Sequence, residues 1–192
     1  MSRGRTLAPR AAAAAALLAL GAAAALLKAR SYDLWWHLET GEQIVAARAV
    51  PGVDDFSFTS AGTPWIDHAW LFQVILYCAH LAGPAGLTLL KGLCVLGVAV
   101  AGFGWLARRG ASFSLALSVT AVAVVGLRPR VGERPETVTL LMAALLTCLL
   151  LDLAARPGTP LARLAIITLV TIVWVNLHGG ALLAPVISAA VA

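Results

Sequence analysis

Long apolar runs alternate with short polar segments along most of the chain. A helix crosses the bilayer core, which is about 30 Å thick, with about 20 apolar residues, and spans of about 17–25 residues are usual. Five runs come close to this length and are interpreted as membrane spans: residues 11–27, 87–106, 112–127, 137–153 and 164–177. A sixth run, residues 181–192, is too short and is interpreted as a partial helix at a truncated C-terminus. The pattern predicts an all-α, polytopic transmembrane helix bundle that forms one domain.

The first run has a second interpretation. Arginines precede it and small residues fill it, which is also typical of a secretory signal peptide. Lys28 and Arg30 follow the run directly and make a poor cleavage region. We therefore favour a span that is retained in the protein.

The longest stretch without a spanning run is the loop of residues 31–86. Within it, residues 37–50 combine apolar and charged side chains in the pattern of a short amphipathic surface helix. Residues 54–59 are expected to be extended. Residues 70–82 are apolar but too short to cross the bilayer, so we expect a helix in the membrane interface that the Gly83-Pro84 pair ends.

Composition supports the membrane interpretation. Hydrophobic residues make up 60% of the chain and charged residues 12%, whereas soluble domains contain about 25% charged residues. These values exclude a disordered chain, a disulfide-rich secreted domain and an ordinary soluble enzyme. The three cysteines lie singly in apolar runs without metal-site spacing, and we interpret them as small buried hydrophobic residues.

The basic residues indicate the orientation of the bundle rather than binding to nucleic acid. With the N-terminus in the cytoplasm, seven arginines lie on the cytoplasmic side: Arg3, Arg5, Arg10, Arg108, Arg109, Arg156 and Arg163. Six basic residues lie on the opposite side, so the count alone favours this orientation only slightly. Eight of the nine acidic residues and all four histidines share the outer side, which is therefore the candidate active face.

The segment that follows the first run carries the candidate catalytic residues Asp33 and His37. Asp33 stands beside the bulky aromatic residues Trp35 and Trp36, which lower the local dielectric constant. A carboxyl group there can have a raised pKa and act as a general base, or it can bind a divalent cation. The alternative is that Asp33 caps the helix that follows. Trp35 and Trp36 are candidate substrate-binding residues, and their alternative role is in an aromatic belt at the lipid headgroups.

Other candidates lie in the remaining outer segments. Arg128, Arg130 and Arg134 are suited to bidentate phosphate binding, and lipid headgroup anchoring is their alternative role. Asn176 and His178 precede two glycines that permit close approach of a ligand, and they are candidate substrate-binding residues. The candidate ligands for a divalent cation, Mg or Mn, are Asp33, Asp54, Asp55 and His68.

Several short motifs occur together: D-L-W-W-H-L-x-T-G from Asp33, D-x-F-S-x-T, W-x-x-H-x-W-L, an R-P pair before a helix, and W-x-N-L-H-G-G that ends at Gly180. As a set they resemble a group of bacterial polytopic membrane proteins that is similar to the GT-C glycosyltransferases, the class of protein mannosyltransferases and oligosaccharyltransferases. The resemblance implies a polyprenyl-phosphate sugar donor, a first-loop acid at Asp33, and arginines that hold the lipid phosphate. Ala69 stands where the group usually has an acid.

These observations predict a membrane glycosyltransferase, or its N-terminal part, in a bacterial inner membrane with its active face outside. The expected partners are the polyprenyl-phosphate donor, the bilayer and a membrane protein that completes the bundle. The alternative, suggested by Ala69 and the abrupt end, is a non-catalytic membrane subunit or pseudoenzyme fragment. A transporter is less favoured, because only Lys91 and Asp152 lie within spans, near ends from which their side chains can extend to the surface.

Overall fold

The computed structural model describes residues 12, 15–23, 26, 31–155 and 161–191. Within these ranges the chain is helical apart from loops and one isolated antiparallel bridge between Val53 and Pro64. Residues 15–23 are helical; the ends of the predicted span 11–27, and the basic residues around it, lie outside the described residues. The helices that follow are α1 (Leu34–Ala47), α2 (Trp70–His80), α3 (Gly83–Arg108), α4 (Phe113–Leu127), α5 (Pro135–Ala154), α6 (Leu161–Leu177) and α7 (Leu183–Val191), with 3₁₀ turns at Arg128–Arg130 and Gly179–Leu182.

Three helices are long and apolar enough to cross a membrane: Gly83–Arg108, Phe113–Arg130 and Pro135–Ala154. They correspond to the predicted spans 87–106, 112–127 and 137–153. At most 28% of the residues in each apolar window are buried inside the molecule, so most of these apolar side chains lie on its surface, as in helices that contact lipid. The fifth predicted span, 164–177, lies in α6, an apolar helix of 17 residues that is shorter than these three.

Local chemistry explains where the long helices begin. Gly83 has a φ of 68° and Pro84 occupies the first turn of α3, so this pair begins a span rather than only ending the helix before it. The Ser112 hydroxyl accepts a hydrogen bond from the Leu115 N–H and caps α4. Arg134 is extended, as expected before Pro135, and α5 begins at that proline.

The two short helices of the loop 31–86 pack against each other and against the bundle. Helix α1 is the predicted amphipathic helix, and it ends at Arg48, which has a φ of 54°. A Cβ atom at Gly41 would overlap the Gln73 carbonyl, so glycine allows the close approach of α1 to α2. Phe72 and Leu76 of α2 are buried against α1, α3, α5 and the end of α6, so this face of the helix contributes to the protein core.

Residues 54–59 are not extended. The chain makes bends and turns between Val53 and Pro64, and backbone hydrogen bonds from Asp54 to Thr63 and from Trp65 to Gly52 close this loop at its base. Asp54 explains the departure, because its side chain accepts the backbone N–H groups of the residues two and three positions later and so favours a turn.

The bundle has two chemically different ends. At one end, Arg108 and Arg109 of the α3 terminus lie 3.5 and 3.3 Å from Asp152 of α5, which extends to the surface as expected. At the other end, here called the polar end, the residues before α1 and α5 pair with each other, and α2 and α5 each contact the end of α6. Lys91 does not extend to the surface: it is buried near the polar end and pairs with Glu133, which is also buried. The expectation for Lys91 was wrong because its partner comes from a distant part of the chain.

Candidate functional site at the polar end

Asp33 and Arg134 form an ion pair at the polar end. Arg134 Nη2 lies 3.4 Å from Asp33 Oδ2, and Arg134 Nε donates a hydrogen bond of 2.9 Å to the Ser31 hydroxyl. Asp33 occupies the N-cap position of α1, as its alternative role requires, but its side chain makes no capping hydrogen bond there. The side chains remain 50% and 38% exposed, and both are therefore accessible to a ligand.

His37 lies beneath this pair and is almost completely buried. The Trp36 ring lies 4.0 Å from the imidazole and the Phe72 ring meets it edge-on at 5.6 Å. Burial lowers the pKa of His37 to about 4, and the carboxylates of Asp33 and Glu136 offset only part of this effect. His37 is therefore neutral near pH 7, and its low pKa makes it a poor general base.

A buried polar network that the sequence did not predict connects His37 to the loop before α2. Gln73 Nε2 lies 3.4 Å from His37 Nδ1 and donates a hydrogen bond of 3.1 Å to Asp67 Oδ1, which also accepts the Ala69 N–H. Burial raises the pKa of Asp67, and these hydrogen bonds oppose the rise. The one available signal was Gln73 itself, a polar residue in the middle of an apolar helix.

His178 is held by a second network. The Trp174 indole donates to the Thr139 hydroxyl at 3.1 Å, and that hydroxyl lies 2.8 Å from His178 Nδ1. The Gly180 N–H, which can only donate, also lies 3.2 Å from Nδ1. Nδ1 is therefore an acceptor, and the neutral ring carries its proton on Nε2. Burial lowers the pKa of His178, so near pH 7 this histidine is a hydrogen-bond donor through Nε2.

The segments 65–71 and 174–180, which carry two of the motifs, pack against each other. The Trp70 indole donates a hydrogen bond of 2.8 Å to the side-chain oxygen of Asn176. A Cβ atom added at Gly179 would lie 3.2 Å from the His68 ring, so the ring rests on this glycine. These two contacts join segments that are about a hundred positions apart in the sequence.

Glu136 is a further member of the site that the sequence analysis did not select. Its charge raises the pKa of both His37 and His178, which places the carboxylate near both rings. It lies in the first turn of α5, where a carboxylate is favoured by the helix dipole. The two residues before it, Arg134 and Pro135, indicate the start of a helix. That local pattern does not reveal which imidazole rings lie near Glu136.

The remaining predicted residues lie apart from this group. Arg128 and Arg130 are exposed in a 3₁₀ turn, and neither forms an ion pair within the described residues. Asp54 is half-buried and stabilises its own turn, where hydrogen bonds from Ser57 and Phe56 lower its pKa. The neighbouring Asp55 is exposed.

The predicted tryptophans have different surroundings. Trp35 is 70% exposed, whereas Trp36 packs against Phe56 and Trp65 with ring centroids 6.4 and 6.1 Å away. Trp36 is thus packed between His37 on one side and the loop residues Phe56 and Trp65 on the other.

The carboxylates and histidines do not assemble a metal-binding set. Across the described ranges, no three His, Cys, Asp or Glu side chains lie close enough together to hold a metal ion. Asp33 is paired with Arg134 and Asp54 is engaged in its turn. The divalent cation stays a prediction, and the arrangement of these donors does not favour it.

Comparisons with known proteins give no match: no protein-family model, no curated protein and no solved structure matches the chain. The chemistry of the polar end therefore carries the functional argument.

Proposed function

We propose that the chain is a membrane glycosyltransferase, or the N-terminal part of one, that transfers a sugar from a polyprenyl phosphate. The observation that supports the proposal is the partly exposed Asp33–Arg134 pair at one end of a helical bundle, three helices of which are long and apolar enough to cross a membrane. A lipid-linked phosphate donor places its reactive group at a membrane surface, and the pair offers both a base and a cation there. In the proposed orientation this end faces the outside of a bacterial inner membrane.

Arg134 is suited to the phosphate of the donor. A guanidinium has five N–H donors in a planar fork, and the contacts with Ser31 and Asp33 engage the Nε and Nη2 atoms. The other donors can bind phosphate oxygens in the bidentate geometry that arginine favours. Arg134 would then stabilise the negative charge that the phosphate gains as it leaves.

Asp33 is suited to activate the acceptor. Its carboxylate takes the proton of the acceptor hydroxyl while that oxygen forms a bond to the anomeric carbon. The bond from the anomeric carbon to the phosphate oxygen breaks, and its electron pair leaves with the lipid phosphate. The transition state has oxocarbenium character, as in other sugar transfers.

His178 completes this arrangement as a neutral donor. Its Nδ1 atom is engaged by Thr139 and Gly180, so the Nε2 proton is the one that remains for a phosphate oxygen or a sugar hydroxyl. The charge of Glu136 raises the pKa of His178 and offsets part of the effect of burial, so a second carboxylate lies near the proposed donor site.

The test of the phosphate role is the Arg134→Ala variant of the full-length protein, assayed with a polyprenyl-phosphate sugar. We expect KM for the lipid donor to rise by about tenfold or more, since a charge-assisted contact is lost. Arg108→Ala, which removes an arginine from the opposite end, is the matched control and should keep KM within about twofold. Unchanged KM in Arg134→Ala would contradict the proposal.

A second candidate, ion-coupled transport, is favoured by one observation. Lys91 and Glu133 are charged, buried and paired among the helices, and ionisable groups inside membrane bundles commonly serve ion pathways. Proteoliposomes that contain the full-length protein would show substrate flux driven by a proton or sodium gradient, and Lys91→Leu would abolish it. If the wild-type protein shows no such flux, this candidate is excluded.

A further inference from the structure

A buried ion pair lies directly behind the Asp33–Arg134 site. Lys91 Nζ of α3 lies 2.6 Å from Glu133 Oε1, and the two side chains are only 2% and 4% exposed. Glu133 directly precedes Arg134 in the chain. A contact that holds Glu133 in place therefore also positions the backbone from which the Arg134 side chain extends.

The other carboxylate oxygen of Glu133, Oε2, also lies in the protein interior. Among the described residues, Glu133 Oε2 is buried and makes no hydrogen bond. A pocket of about 10 Å³, enough for about one water molecule, lies beside it, and its walls include the apolar residues Leu87, Leu90 and Val138. Because the surroundings are mostly apolar, the charge of Glu133 is balanced chiefly by Lys91.

The loop between α4 and α5, which contains Glu133, is also held by hydrogen bonds to α5. The Thr137 hydroxyl donates to the Gly132 carbonyl at 2.7 Å and accepts the Gly132 N–H at 2.9 Å. These hydrogen bonds connect the loop only to α5, the helix that directly follows it. The ion pair with Lys91 connects the same loop to α3. Lys91 is therefore the residue that sets the position of the loop relative to α3.

We propose that Lys91 is a positioning residue for the active face: through Glu133 it holds Arg134 beside Asp33. Without Lys91, Glu133 becomes a buried charge without its counter-ion, and it must move toward water. That movement carries Arg134 away from Asp33. The proposal rests on the proposed function only for the ligand that Arg134 binds.

The first test measures the geometry without any ligand. Hydrogen exchange of the backbone amides of residues 131–134 is compared in the full-length wild type, Lys91→Met and Lys91→Arg. We expect exchange to accelerate by roughly tenfold or more in Lys91→Met and to stay near the wild-type rate in Lys91→Arg, which keeps the charge. Leu90→Ala enlarges the same pocket without unpairing Glu133, and it should not accelerate these amides. Equal rates in Lys91→Met and the wild type would overturn the proposal.

The second test measures binding of a polyprenyl monophosphate to the full-length protein in nanodiscs. If Lys91 acts through Arg134, Lys91→Met and Arg134→Ala each weaken binding by about tenfold, and the double variant is no weaker than Arg134→Ala alone. Effects that multiply in the double variant would overturn the positioning role. Unchanged binding in Arg134→Ala would instead refute the phosphate site of the proposed function, while the exchange measurement still decides the role of Lys91.

Discussion

The Thr139 hydroxyl lies 2.8 Å from Nδ1 of His178 and joins the beginning of α5 to the end of α6. The same hydroxyl accepts the indole N–H of Trp174, which is completely buried. One small side chain thus orients a candidate ligand-binding histidine and satisfies a buried donor.

Replacement of Thr139 by valine keeps the shape of the side chain and removes both hydrogen bonds. The Trp174 N–H would then be buried without an acceptor, so we expect a loss of about 1–3 kcal/mol in the free energy of unfolding. Thermal unfolding in detergent measures this change. Thr171→Val is the matched control, because the Thr171 hydroxyl bonds only to the Ile167 carbonyl of its own helix among the described residues. Similar destabilisation in both variants would contradict the role of Thr139.

The low pKa of His37 predicts a dependence of stability on pH. In the unfolded chain the imidazole has its ordinary pKa of 6.5, whereas in the folded protein it stays neutral until about pH 4. Between these values the unfolded state binds more protons, so stability is lost as the pH falls through this window. The difference corresponds to about 3 kcal/mol.

His37→Gln removes this titration. We expect the free energy of unfolding to fall less between pH 7 and pH 4.5 in this variant than in the wild type, by about 2–3 kcal/mol. Chemical unfolding at the two pH values checks the prediction. If the wild type and His37→Gln lose the same free energy, His37 is not the buried neutral group described above.

Gly180 is expected to tolerate no side chain. A Cβ atom there would lie 2.7 Å from His178 Nδ1 and 2.8 Å from the Thr139 hydroxyl, so Gly180→Ala must push these two groups apart. We expect Tm to fall by several degrees and transfer activity to fall with it. Gly126→Ala is the control, because a Cβ atom at Gly126 meets no atom within 4 Å and alanine favours its helix. Equal Tm values for the two variants would refute this account.

The sequence predicted the all-helical structure and three helices of membrane-spanning length, because apolar runs of bilayer length are a local signal. The spans of α3, α4 and α5 and the amphipathic helix α1 follow directly from it. The predicted span 164–177 lies within α6, which has 17 residues and is shorter than these three helices.

The candidate site was predictable only in part. Asp33, Arg134 and His178 were recognisable from residue type and motif, and the structure brings them to the same end of the bundle. Thr139, Gln73 and Glu136 were missed, because their roles depend on partners distant in sequence. Lys91 was misjudged for the same reason, since the local pattern does not reveal that Glu133 lies beside it.

The most direct measurement of the central claim is the rate of sugar transfer from a polyprenyl-phosphate donor by the full-length Asp33→Asn variant. Asparagine keeps the size of the side chain but cannot accept the proton of the acceptor, so kcat is expected to fall by about 100-fold or more. Glu39→Gln, which neutralises an exposed acid on α1, should retain the wild-type rate. Transfer by Asp33→Asn at the wild-type rate would contradict the account.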